Sequence, residues 1–336
     1  MRVRQARAGD ADAVAAFTRD TWSGRDQDDY MPETFPEWVA TDGPRQHTLV
    51  ADPEDGSGDV AGVLQCVLLS EHEGWAQGMR VNPAYRGRGV SVRLVHALFE
   101  WAADAGATVV RNMVFSWNVA GLGQSRAVGY EPCTEFRWAM PTPAADTEAR
   151  TDRAVAVADP EPDAAWSFWA DSAAREHLAG LALDDEEAWA LSELTRDRVR
   201  EAGADDRLLA VAGDTDHTRA ASGASAAGRP SVTGLALRNR TYEREADEAD
   251  ESDDRNDEDV AVVRWAEYAV GAWADGDAAD ALLAAVARDA AAVGADRTRV
   301  LIPESVRWVS DVAAARCAVS DEPDFVLAAD TADPTG

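Results

Sequence analysis

Residues 81–91, Val-Asn-Pro-Ala-Tyr-Arg-Gly-Arg-Gly-Val-Ser, set two glycines and two arginines just ahead of a run with helical apolar spacing. In that run Val90, Leu94, Leu98, Trp101 and Ala105 fall on one helical face that can pack on a sheet. Gly87 and Gly89 let backbone approach a ligand with no Cβ in the way. The first N–H groups of the helix point outward with the positive end of its dipole, a cradle for phosphate or pyrophosphate. Arg86 and Arg88 add two guanidinium forks for the same charge. Glycine-arginine turns at helix starts also serve as plain structural punctuation, so the spacing alone leaves both readings open.

The elements that position this turn alternate in type. Residues 1–7 read as a strand, and 9–22 as a helix with Asp10 as its N-cap. A short helix is expected near 32–40. Strands follow at 46–52 and 59–70, joined by the turn-rich segment Pro-Glu-Asp-Gly-Ser-Gly, and another spans 74–81. After the helix of the turn come a strand at 108–115, a short helix at 119–128 and a strand at 135–140.

Residues 142–152 have the composition of a linker. Beyond it a similar order recurs: helical runs from Asp163 to Ala182 and Asp185 to Ala202, strands, a helix at 277–295, a strand, a helix and a last strand. The expectation is a domain at 1–141 and a divergent repeat at 153–336. Two polar loops, about 213–230 and 243–259, enlarge the second half.

The order strand, Val-x-Pro, arginine-glycine turn and amphipathic helix resembles the acetyl-CoA-binding segment of the GNAT superfamily of N-acyltransferases. That family's pattern is Gln/Arg-x-x-Gly-x-Gly/Ala, and Arg86, Gly89 and Ser91 stand at its fixed places, Ser91 being small but non-consensus. Asn118 with Gly129 and Tyr130 matches a second family feature. The resemblance covers about residues 1–140 and implies two tandem GNAT-like domains of the α/β (α+β) class, each a mixed, mostly antiparallel twisted sheet flanked by helices. It implies acetyl-CoA as co-substrate, its pyrophosphate held by amides of Arg86, Gly87, Arg88, Gly89, Val90 and Ser91. The pantetheine arm would pair with Met79, Arg80 and Val81 as an extra strand, with Asn118 bonding the same arm or capping its own helix. No metal is implied. A dinucleotide fold and a P-loop are excluded, since the chain has neither G-x-G-x-x-G opening the helix nor Gly-Lys-Ser/Thr.

The same resemblance implies direct attack of an amine on the thioester, with a backbone N–H near Val81 for the oxyanion. A carboxylate is expected on the strand before the turn, where this chain offers Trp75 and Gln77. Glu73 is the candidate base, with Glu71 and His72 as rivals. At the family's tyrosine acid stands Ser125, a poor acid, with Tyr85 and Tyr130 as nearby phenols. Asp26, Asp28, Asp29 and Tyr30 are candidates to receive a cationic amine, or form a solvated charge run. In the second half the equivalent turn carries Asp275, Asp277 and Asp280, which would repel pyrophosphate. That half therefore reads as degenerate, and the chain as a monomer forming an internal pseudo-dimer. The acceptor is a small-molecule amine or a protein N-terminus; the alternative is a non-catalytic acyl-CoA-binding regulator.

Hydrophobic residues make up 46% of the 336 and charged ones 28%, a globular balance. No apolar run reaches the ~18 residues of a membrane span, and residues 1–17 lack a secretory pattern, so a cytoplasmic protein is expected. The three cysteines are too far apart for a zinc site or a disulfide framework. Every basic residue is arginine, and 62 acidic against 32 basic residues give a net charge of −30. Such a surface makes nucleic acid a poor partner. It suits a salt-loaded cytoplasm, because at about 1 M salt the screening length falls to about 3 Å and self-repulsion is quenched. We expect the melting temperature to rise by roughly 10 °C or more between dilute buffer and molar KCl, a shift of a few kcal/mol; an unchanged melting curve would remove the halophilic reading.

Overall fold

Alternating apolar residues between 46 and 68 give the sheet two different faces, and a separate set of helices covers each. The computed structural model describes residues 1–19, 21, 29–54, 56–213, 231–245 and 262–332. It opens with β1 (Arg2–Gln5), α1 (Ala11–Thr18), α2 (Met31–Thr41), β2 (Gln46–Asp52), β3 (Gly62–Leu68), β4 (Glu73–Val81), α3 (Val90–Asp104), β5 (Val109–Phe115), α4 (Val119–Ala127) and β6 (Glu131–Met140). β1 to β4 pair antiparallel in sequence order, and β5 joins β4 in parallel after the α3 crossover. Leu49, Ala51, Leu64 and Cys66 pack with Leu94, Leu98 and Phe99 of α3. Their strand neighbours Val50 and Val63 point the other way and pack with Val14, Met31 and Phe35 of α1 and α2.

Asp10 does not cap α1 as its sequence position suggested. Its carboxylate accepts from the Arg7 backbone N–H and from both terminal nitrogens of Arg4 at 2.8 Å, closing the single 3-10 turn that precedes the helix. Trp22, where that helix was expected to end, lies outside the described residues.

The remaining elements are β7 (Ala154–Ala156), α5 (Pro162–Ala170), α6 (Ala173–His177), β8 (Leu181–Leu183), β9 (Leu191–Glu193), α7 (Arg196–Ala204), β10 (Leu208–Gly213), β11 (Ser231–Glu245), β12 (Val262–Trp273), α8 (Gly276–Ala292), β13 (Arg297–Pro303), α9 (Val306–Ala314), β14 (Ala318–Val319) and β15 (Asp324–Asp330). The chain divides into two compact units, Met1–Cys133 with Phe325–Gly336, and Thr134–Asp324. The division falls inside β6, and residues 142–152 lie within the second unit. That unit repeats the order of the first: β10, β11 and β12 pair antiparallel, α8 crosses over, and β13 joins β12 in parallel.

Two long helices read from 163–202 are absent. Ser172 restarts the chain as α6 by accepting from the Arg175 N–H at 3.0 Å, and Ala179 and Gly180, both at positive φ, turn it into β8. β8 and β9 form a hairpin whose turn Asp184 closes, accepting from the backbone N–H groups of Glu186 and Glu187 and from the Ser192 hydroxyl. Only α7, capped by Thr195, is helical in the second stretch. These elements are too short for apolar periodicity to separate strand from helix. The expected polar loops fall mostly outside the described residues.

The first unit is completed from the far end of the chain. β15 lies beside β5 in the strand order, and Leu327 and Ala329 are buried in the core under α3. Thr331 then ties down the end, its N–H donating to Thr108 and its hydroxyl to Ala107. A chain ending at Asp324 loses a strand and its buried side chains, a loss of several kcal/mol. We expect the first unit of that variant to melt at least 10 °C lower and to become protease-sensitive at room temperature; an unaltered melt would show that β15 is dispensable.

Candidate functional site

The ladder between β4 and β5 is short. Glu73, Gly74 and Trp75 pair with Val109, Val110 and Arg111, after which residues 76–81 and 112–115 run on without pairing to each other. Parallel strands that part in this way leave backbone hydrogen-bonding groups facing a wedge, the geometry that lets an extended ligand add as a strand. On its other side β4 carries a bulge. Val63 pairs with Arg80 and Gln65 with Gln77, so β4 holds one residue more than β3 over this stretch. Gly78 supplies the bend at φ +67°, and a Cβ there would stand 2.5 Å from the Trp38 ring. Only glycine meets both demands.

The turn after β4 is braced from below and open above. Asn82 caps it through the Ala84 N–H and donates to the Val60 carbonyl, while the buried Tyr85 donates its hydroxyl to Asp59 at 3.0 Å. Gly87 and Gly89 sit at φ +73° and +72°, with nothing among the described residues within 4 Å of where a Cβ would be. Gly89 is the N-cap residue of α3, and no side chain caps that helix. Arg86, Arg88 and Gly89 are exposed, and Arg88 lies over the Tyr85 ring. Among the described residues, neither Arg86 nor Arg88 makes an ion pair. Free amides, a helix dipole and two unpaired guanidiniums fit an anion. The equivalent place in the second unit is closed. Asp275 caps α8 by accepting from the Ala278 N–H, and Asp280 is held by the Arg150 side chain and by the N–H groups of Arg150 and Thr151.

Several candidates from the sequence already have partners. Glu73, expected just outside the strand, is the first residue of β4, buried, and ion-paired to Arg111 at 2.6 Å with a further bond from Ser70. It sits at the closed end of the wedge, about 16 Å along the strand from the Gly78 bend. Glu71 and His72 are exposed beside it. Asp29 is fully buried at its carboxylate, held by Arg80 Nε at 2.7 Å and by the Met31 N–H, so it starts α2 and is not open to an incoming amine. Tyr30 is half-exposed with the Arg80 guanidinium over its ring. Asp26 and Asp28 lie outside the described residues.

Ser125 is 2% exposed and accepts from Asn112 Nδ2 at 3.0 Å, turned toward β5. The Asn118 side-chain oxygen accepts from the Gly121 N–H, the helix-capping role. Tyr130 is buried with its hydroxyl unpartnered among the described residues, and burial pushes its pKa well above the usual phenol range. Burial also raises the Cys133 thiol against the lowering pull of Arg111.

One polar line escaped the sequence reading. Gln77, next to the bulge, donates to Gln65, Gln65 donates to Thr48, and Thr48 donates to Asp42. These residues lie on three neighbouring strands and the loop before them, in a register that only the paired sheet reveals. The line fixes the Gln77 amide beside the wedge. Among the described residues no group of three His, Cys, Asp or Glu side chains forms a metal site, and no helix is long and apolar enough to cross a membrane.

Residues 11–123 match the model of the acetyltransferase (GNAT) family. The first unit carries a GNAT acetyltransferase domain. A GCN5-related N-acetyltransferase from Sphaerobacter thermophilus superposes with a TM-score of 0.58 at 15% identity, covering 98% of this chain and 95% of that one, a likeness of fold. A candidate acetyltransferase from Pyrococcus horikoshii aligns over 98% of this chain and 89% of its own at 14% identity, with a TM-score of 0.46. The N-acetyltransferase PaiA of Thermoplasma acidophilum, solved with coenzyme A, aligns over 39% of this chain and 89% of its own at 13% identity and a TM-score of 0.35.

The bulge generates a direct test. Gly78→Ala must strain φ and displace the Trp38 ring, at a cost of about 2–4 kcal/mol. We expect a clear fall in the midpoint of urea unfolding; a midpoint within error of the parent would mean that β4 is not bent as described.

Proposed function

We propose that the first unit transfers an acetyl group from acetyl-CoA to a primary amine, on a small molecule or a protein N-terminus, by direct attack in a ternary complex. One observation carries this reading: an uncapped, uncrowded glycine-arginine turn at the end of a strand that parts from its parallel neighbour. In the proposal the amides of Gly87 to Ser91, with Arg86 and Arg88, hold the pyrophosphate. The backbone of Met79 to Val81 pairs with the pantetheine arm and brings the thioester to the bulge, where a backbone N–H meets the developing oxyanion.

The attacking amine forms the new C–N bond, the C–S bond breaks, the thiol leaves as thiolate, and the proton shed by the new amide nitrogen passes to solvent. With a thiol pKa of about 8.5, departure at neutral pH needs little help, so a buried Ser125 slows the reaction without forbidding it. Glu73 is engaged by Arg111, which favours an amine that arrives already deprotonated. Asn118, its oxygen used by α4, is left with its amide nitrogen for the arm. The first unit, Met1–Cys133 with Phe325–Gly336, is the catalytic domain in this proposal, and Thr134–Asp324 a degenerate partner whose equivalent turn is sealed by Asp275 and Asp280.

The paired state of Glu73 and the burial of Ser125 favour one second reading, a non-catalytic acyl-CoA-binding regulator. Thiol release from acetyl-CoA across a panel of amines separates the two. The transferase reading expects amine-dependent release that rises with pH as the free amine becomes populated. Binding of acetyl-CoA with no release for any acceptor would leave the regulator.

A further inference from the structure

On one face of the second unit's sheet, arginines and aromatic rings interleave in a way the acyl-transfer reading does not use. Arg240 and Tyr242 of β11 are register partners of Glu267 and Trp265 of β12, and Arg299 of β13 is the partner of Glu267, so all five share a face. At the centre the fully buried Glu267 accepts from Arg240 Nε and Arg299 Nε, each at 2.7 Å, and from Asn239 Nδ2 at 3.2 Å. The Arg299 guanidinium lies 4.2 Å from the Trp189 ring centre, 4.6 Å from that of Trp138 and 5.5 Å from that of Tyr242. Arg244 covers Trp265 at 4.7 Å, and the Trp265 and Tyr242 rings are within 8° of parallel.

Three features exceed what a structural ion pair needs. Arg240 Nη2 and Trp265 Nε1 are buried donors, and Asn239 Oδ1 a buried acceptor, without a hydrogen-bond partner among the described residues. Each such orphan is destabilising unless something satisfies it. Asn239 is moreover the extra residue of a bulge in β11, between Arg238 and Arg240. Trp189, near the β9 end of the β8–β9 turn, is 40% exposed and held at φ +64°, a conformation a bulky residue adopts only under constraint. The charge is the third feature. Arg240 and Arg299 both pair with the one buried carboxylate of Glu267, while Asp324 is engaged by the Trp138 indole N–H.

We propose that this face binds a flat organic anion, an aromatic ring bearing a carboxylate or phosphate and an N–H group. The ring lies against the Trp189, Tyr242 and Trp265 surface, the anion takes the donors of Arg240 and Trp265, and the ring N–H meets Asn239. Stacking on the rings and a charge-assisted hydrogen bond to the guanidinium act together on such a ligand. The site lies wholly in the second unit and stands whether or not the first unit is a transferase.

The test is calorimetric titration of the full chain with two probes, adenosine 5′-monophosphate and 4-aminobenzoate, beside adenosine and inorganic phosphate alone. Because the open turn of the first unit also suits a phosphate, each titration is repeated in an Arg86→Ala, Arg88→Ala background. Trp189→Gly removes the ring and suits the positive φ, so the variant should fold; a matching circular dichroism melt checks this. We expect at least one of the two probes to bind in that background, at least tenfold more tightly than adenosine or phosphate, and to lose at least tenfold in affinity in Trp189→Gly. Binding of the monophosphate alone would name a phosphate, binding of the benzoate alone a carboxylate. Heat from neither probe, equal affinity for uncharged adenosine, or unchanged affinity in Trp189→Gly would overturn the proposal.

Discussion

The N–H groups at the start of α3 have no side chain to cap them, and the account of the first unit depends on that. A helix start leaves backbone donors that a protein ordinarily satisfies with serine, threonine, aspartate or asparagine. Here Gly89 occupies the cap position in a left-handed conformation, with open space where a side chain would be. The second unit shows the alternative. At the start of α8, Asp275 supplies the missing acceptor, and Asp280 gathers Arg150 and the chain beside it. One sheet order thus carries two opposite solutions, one open to an anion and one sealed by the chain's own carboxylates.

Given the open turn, β4 has to deliver the reacting end of a ligand at a fixed place, and the glycine bulge provides the bend. Gly78 cannot carry a side chain because Trp38 fills that space, and the bulge shifts the register in which Arg80 and Val81 pair with Val63 and Gly62 of β3. On the opposite edge the pairing with β5 stops at Trp75 and Arg111. The Glu73–Arg111 pair closes the base of the wedge, and the second unit also ion-pairs its parallel strands, through Glu267 and Arg299 two residues into the β12–β13 ladder. In both units a buried carboxylate on the central strand is neutralised by an arginine from the crossover strand. That arrangement makes it a fixture of the sheet, since a buried ion pair broken on one side leaves an uncompensated charge.

What could be read from the sequence follows the range of the interaction concerned. Alternation and helical periodicity are local, so β2, β3, β4 and α3 were legible, and so were Gly87 and Gly89. The pairings that assign roles are not local. Arg111 is 38 residues from Glu73, and Arg80 is 51 from Asp29, so single-sequence reading left both carboxylates looking available. The same holds for the Gln77–Gln65–Thr48–Asp42 line and for β15, whose place beside β5 no local pattern announces. Between 163 and 202 the failure was of another kind: composition favoured helix, and the caps Ser172 and Thr195 with the turn residue Asp184 decided otherwise.

The measurement that bears most directly on the central claim is calorimetric titration of acetyl-CoA into the intact chain beside a Gly89→Asp variant. Aspartate tolerates the left-handed conformation and would cap α3 itself, placing a negative charge where the pyrophosphate is meant to lie. The account predicts micromolar binding in the parent chain and at least a hundredfold loss in the variant, whose circular dichroism spectrum is unchanged. Equal affinity in the two, or no binding in the parent at the lowest salt that keeps it folded, would contradict it.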